Sequence, residues 1–141
     1  MGVQLKAGKY WIGDPCYMLS EENYQVYLDQ YDRLFVDDLH GGEKNDGRVV
    51  IDGHEFAVFS TKFGDGCYLD QFKNLYSVDS GMIGCLPIEL VKEDVQGCHP
   101  VEFLEDFYCE GSDGTYGWSG ILQFGRYIIE TGDFEEDEYE E

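Results

Sequence analysis

The sequence predicts a mainly β domain of α+β class, a small antiparallel β-sandwich or half-open barrel with one packed helix over about residues 21–35. Three observations predict it. Short runs rich in β-branched and aromatic residues recur along the chain, such as Arg48-Val49-Val50-Ile51 and Phe56-Ala57-Val58-Phe59. The breakers between these runs are too short to hold the helices that parallel crossovers need. A one-sided apolar stripe of helical period is found in one place, just after Ser20. With 141 residues, 43% hydrophobic and 16% aromatic, the chain suits one domain, residues 1–132, able to bury enough apolar area to offset its ordering entropy.

In chain order, Tyr10-Trp11-Ile12 reads as a short strand leading into a turn at Gly13-Asp14-Pro15, followed by a second extended segment through Tyr17, Met18 and Leu19. Pro15 fixes its own φ and biases Asp14 away from helix. Ser20 is the N-cap candidate for the helix, Glu21 and Glu22 place acids in its first turn, and Tyr24, Tyr27, Leu28, Tyr31, Leu34 and Phe35 form its stripe. Gly41 to Gly47 is a polar, glycine-rich loop. Asp52-Gly53 between two apolar runs signals a type I′ hairpin. Further strands are expected at Gly66–Leu69, Tyr76–Asp79, Met82–Cys85, Phe103–Cys109, Trp118–Phe124 and Tyr127–Glu130. Beyond Gly132, the nine residues from Asp133 to Glu141 hold seven acids, and the expectation there is a disordered tail.

Charge bounds the function. Thirty acids against nine bases leave a formal net charge of -21, which opposes direct binding to phosphate backbones or anionic membrane surfaces. It favours plain solubility or a basic partner. No stretch reaches the length of a membrane span, and Met1 to Lys6 lacks the apolar run of a signal peptide, so a cytoplasmic setting is expected. Five cysteines without a C-x-x-C pair suggest neither a disulfide framework nor a zinc ribbon. Reduced, buried thiols are the default.

Several clusters invite a chemical reading. Asp14 and Cys16 flank a forced turn beside Trp11 and Tyr17, and Asp79-Ser80-Gly81 makes a second polar turn. Brought together, Asp14, Tyr17, Asp79, Ser80 and Trp11 could hold a nucleotide-like ligand by stacking and turn amides. Each also has a structural reading, with Asp14 bonding its own turn amides and Cys16 packing inside. Cys16 has no adjacent cation to lower its pKa. Asp65 and Asp113-Gly114 look like fragments of calcium loops without the rest of the motif. No catalytic residue, metal ligand or cofactor is assigned.

Gly13-Asp14-Pro15-Cys16-Tyr17 resembles the opening motif of small uncharacterised proteins encoded by bacteriophages and some bacteria. Val78-Asp79-Ser80-Gly81 followed by Cys85 is similar to a Val-Asp-Ala/Ser-Gly motif in a bacterial domain family of unknown function, whose N-terminal part also carries an Asp-Pro. The stretches that carry the resemblance, Tyr10 to Met18 and Tyr76 to Cys85, cover about 20 residues. The resemblance implies a phage-associated setting, hence a host cell cytoplasm, and transfers no catalytic residues. The expectation is therefore a non-enzymatic acidic protein that masks a basic host component, DNA mimicry being its sharper form. Its most accessible contacts would be Asp133, Phe134, Glu135, Glu136, Asp137, Glu138 and Tyr139. The alternative is a small-ligand binder or hydrolase with a pocket at Asp14 and Asp79.

Overall fold

Alternation of inward and outward side chains organises the architecture. The computed structural model describes residues 2–39, 47–61, 66–93, 95–111 and 121–131. In chain order these form β1 (Gly2–Leu5), β2 (Gly8–Gly13), α1 (Pro15–Met18), α2 (Glu21–Leu39), β3 (Arg48–Ile51) and β4 (His54–Ser60). Then come β5 (Gly66–Leu69), β6 (Leu75–Val78), β7 (Met82–Pro87), a single 3-10 turn at Ile88–Leu90, β8 (His99–Phe103), β9 (Phe107–Glu110), β10 (Ile121–Phe124) and β11 (Tyr127–Glu130). A five-stranded sheet runs in the order β3-β4-β7-β2-β8, a four-stranded one in the order β1-β9-β10-β11, and β5-β6 forms a hairpin. Among the described residues, all the pairings are antiparallel, and the sheets pack as a sandwich with no closed barrel.

The centre of the five-stranded sheet, residues 56–59 of β4 and Met82–Pro87 of β7, is buried on both faces, and its period-2 pattern divides two cores. Ala57 and Phe59 of β4 and Ile83 and Cys85 of β7 face the four-stranded sheet, meeting Leu5, Cys109, Leu122 and Phe124. Phe56 and Val58 of β4, with Met82 and Leu86 of β7, point the other way, toward Met18, Leu19 and Tyr27 of the helical layer. This double burial explains why β4 and β7 read as continuous apolar runs rather than alternating ones. Tyr27 and Phe56 have almost no exposed surface, and burying side chains of this size contributes about 1.5–3 kcal/mol each.

Several expectations hold. The helix starts at Glu21, with Asn23 N donating to Ser20 Oγ at 3.2 Å. Asp52 and Gly53 both have positive φ, 54° and 78°, as a type I′ turn requires. The helix runs on to Leu39, beyond the expected end near Phe35.

Other expectations are corrected. The second extended segment after Asp14 is the short helix α1, because Pro15 takes the first helical position, where its missing N–H costs nothing and its φ already suits helix. The run Phe103–Cys109 is two strands, β8 ending at Phe103 and β9 starting at Phe107. The corner between them is anchored by Ala7 N donating to Asp106 Oδ1 at 2.9 Å. Strand β1 was not expected, since four residues alternating Val3 and Leu5 carry little signal without their partner β9. Asp65, Asp113, His40, the stretch before Ile121 and the tail from Asp133 lie outside the described residues.

Candidate functional site

The two motifs singled out in the sequence meet around one carboxylate. Asp14 caps α1, its Oδ1 accepting from Cys16 N at 2.9 Å. The same oxygen accepts from Ser80 Oγ at 2.7 Å, while Oδ2 accepts from the backbone N–H groups of Asp79 and Ser80, both at 2.7 Å. Asp14 is 0% exposed, so all four of these bonds are internal. It joins the β2–α1 junction to the turn between β6 and β7. Ser80, one of the expected ligand contacts, is exposed as a residue but directs its hydroxyl into this knot.

Asp79 projects outward from the same turn. Its Oδ2 accepts from Tyr17 Oη at 2.8 Å, and that bond, more than partial burial, pushes the Tyr17 phenol up to about 12. Tyr17 and Asp79 thus form an acceptor–donor pair at the surface. Tyr17, Gly66, Cys67, Ser77, Val78 and Asp79 line a shallow cleft of about 430 Å³. An adjoining cleft of about 390 Å³ shares Tyr17 and Ser77 and is completed by Lys92, Gln96 and Gly97. Its wall is anchored at both ends, since Lys92 N donates to Met18 O at 2.8 Å and Ser77 N to Gly97 O at 3.1 Å.

Two cysteines near this region, Cys16 and Cys98, are poor nucleophiles. Burial pushes the Cys16 thiol up to about 12, helped by its hydrogen bond to Asp14 and the negative charges of Asp14 and Asp79. Burial likewise raises Cys98 to about 12. Cys98 packs against Gly13, where any side chain would overlap its sulfur. A thiolate at neutral pH would need a nearby cation to offset these effects. Among the described residues, no group of three or more His, Cys, Asp or Glu is placed to hold a metal ion.

Trp11 stands apart from this region. It is half-buried on β2, packs against the helical-layer core and lines a separate cleft of about 330 Å³ with Lys9, Ile88, Pro100 and Glu102. Of the five expected ligand contacts, the structure therefore gathers Asp14, Tyr17, Asp79 and Ser80, and leaves two of them, Tyr17 and Asp79, facing the cleft. Cys67, Ser77, Lys92 and Gln96 complete the lining and were not singled out. The pairing of Cys67 with Ser77 depends on the β5–β6 register, and the place of Lys92 depends on its tie to α1.

Acidity extends over the folded body. Among the described residues, thirteen acids are exposed, from Glu21 and Glu22 on α2 to Glu110 and Glu130 on the four-stranded sheet, against six exposed bases. One of those bases, Arg126, is engaged locally, its guanidinium lying over the Phe103 and Tyr127 rings at 5.2 and 4.8 Å and donating to Glu102 O. Among the described residues, no helix is long and apolar enough to cross a membrane. No family model, curated protein or solved structure matches the chain.

Proposed function

We propose that this is a non-enzymatic acidic binding protein that engages a basic macromolecular partner through its folded surface, as a phage accessory factor masking a host component would. The observation that carries the reading is the excess of exposed acids, thirteen to six among the described residues. The seven acids of 133–141 account for only a third of the net charge of -21, so the body itself presents an anionic field. Such a field accelerates encounter with a basic partner and weakens with salt over a Debye length of about 8–10 Å. DNA mimicry is the narrower form, in which these carboxylates stand in for phosphates.

The test is affinity capture from host lysate at low and high salt, followed by competition with duplex DNA for the captured protein. A stoichiometric basic partner released by salt is the expected result, and DNA displaces it if mimicry is the mode. Capture of nothing at low salt would end the proposal. Truncation after Thr131 separates body from tail, because retained affinity assigns the contact to the body.

A second reading rests on the Tyr17–Asp79 pair at the mouth of the twin cleft. Asp79 and Lys92 offer opposite charges to a small zwitterionic or nucleotide-like ligand, with Ser77 and Gln96 as hydrogen-bonding groups. A small molecule recovered with the purified protein, and lost in Asp79→Ala, supports it. A ligand-free protein whose melting temperature responds to no member of a metabolite panel removes it.

A further inference from the structure

The outer edge of the five-stranded sheet carries a device that the acidic surface does not explain. β3 is an edge strand, paired on one side with β4 in the register Arg48↔Ala57, Val49↔Phe56, Val50↔Glu55 and Ile51↔His54. In an antiparallel ladder, alternate residues turn both N–H and C=O away from the partner strand. Val50 is such a residue, and the amide of Gln30 meets both of its groups: Gln30 Nε2 donates to Val50 O at 2.7 Å, and Val50 N donates to Gln30 Oε1 at 3.2 Å. The side-chain amide thus reproduces the pair of hydrogen bonds that a residue of an added antiparallel strand would make. Tyr27, one turn earlier, seats α2 on the face of the sheet, leaving Gln30 to reach round to the edge.

We propose that the outer edge of β3 is a self-pairing surface for a second copy of this chain, and that the Gln30 amide is the cap that keeps it unpaired. Exposed edges pair with other strands unless covered or charged, and this edge is self-complementary. An antiparallel two-fold centred on Val50 sets Val50 opposite itself and Val49 of each copy opposite Ile51 of the other, and brings Arg48 beside the β3–β4 turn that carries Asp52. Arg48 and Asp52 are exposed and of opposite charge, and Val50 is 42% exposed and apolar. A C2 contact of this kind closes on itself and yields a dimer rather than a filament. The opposing force is repulsion between two chains each carrying -21, so salt strengthens this association while weakening any contact with a basic partner.

The test is light scattering coupled to gel filtration over a concentration series, on wild type, Gln30→Ala and the near-isosteric Gln30→Met. Wild type is expected to be monomeric. The variants are expected to dimerise, with self-association strengthened at least about tenfold and further by salt. Val50→Pro added to either variant removes the central N–H at an edge position that tolerates proline, and should restore the monomer. Folded variants that stay monomeric, association that Val50→Pro leaves intact, or a dimeric wild type would each overturn the proposal. Hydrogen exchange adds a second readout: Val50 N–H should be protected in wild type, exchange faster in both variants when they are dilute and monomeric, and regain protection as they dimerise.

Discussion

Two buried carboxylates, Asp14 and Asp70, each gather four hydrogen bonds, and both act by holding turns. Asp70 sits 5% exposed after β5. Its Oδ1 accepts from Phe72 N and Asn74 N at 2.8 and 3.0 Å, and its Oδ2 from Asn74 Nδ2 and Tyr76 Oη at 2.9 and 2.8 Å. Burial alone would raise the Asp70 pKa, but the donors from Asn74, Tyr76 and Phe72 together outweigh it and hold the group below its ordinary 3.8. A carboxylate with a depressed folded pKa contributes stability that is complete above its unfolded value and is lost as pH falls through the folded one. Asp70→Asn should therefore flatten the acid limb of thermal stability as pH falls below the ordinary 3.8, besides lowering stability at neutral pH. An acid limb identical to wild type would contradict this. At Asp14, replacement by Asn sets an NH2 group against N–H or O–H donors. A loss of roughly 1–3 kcal/mol is expected from the urea midpoint. The sequence marked Asp14, Tyr17, Asp79, Ser80 and Trp11 as a group; the first four are legible locally as turn residues with carboxylates, whereas Trp11 lines a separate cleft. It did not mark Ser77, Lys92 or Gln96, whose meeting depends on strand register and on a loop tied to α1 by a single backbone bond.

At the scale of elements, one edge of each of the two larger sheets is met by a side-chain amide. Gln71 repeats on β11 what Gln30 does on β3, its Nε2 donating to Arg126 O at 2.7 Å and its Oε1 accepting from Ile128 N at 2.9 Å. A carbonyl and an N–H two residues apart are what one residue of a parallel strand would bond, so the amide closes β11 in that sense. Gln71→Ala should speed hydrogen exchange at Ile128 with a stability loss of about 1 kcal/mol. Unchanged protection at Ile128 would show that the isolated bridge Asp70↔Ile129 suffices to cover this edge. These elements differ in how far they could be read in advance. Helix α2 and the β3–β4 hairpin were legible because a period and a two-residue turn are local signals. Helix α1 was not, since four residues display no period and Pro15 reads equally as a strand break or a helix start. The corner Leu104–Asp106 was hidden because Leu104, at 85% exposure, looks in sequence like a continuing strand.

For the whole molecule, charge sets the response to solution conditions. A chain carrying -21 is compressed on folding against its own repulsion, which salt relieves. The melting temperature should therefore rise as salt is added from low ionic strength to about 0.15 M, and rise less after removal of 133–141, which leaves a body of -14. A melting temperature indifferent to salt would mean that exposed carboxylates sit too far apart to repel. The Asp14 knot has a different consequence, which concerns the order in which the chain assembles. Its bonds to Asp79 and Ser80 span 65 and 66 residues, so they require β2 and β7 to be in register before the carboxylate can leave water. Until then Asp14 is hydrated and gains nothing from partial alignment, while closing so long a loop carries its full entropic cost. The knot is thus expected to form late, after the rate-limiting barrier. Asp14→Asn should leave the refolding limb of the chevron in place and lift the unfolding limb, so that the turn pair determines how long the folded molecule persists rather than how quickly it forms.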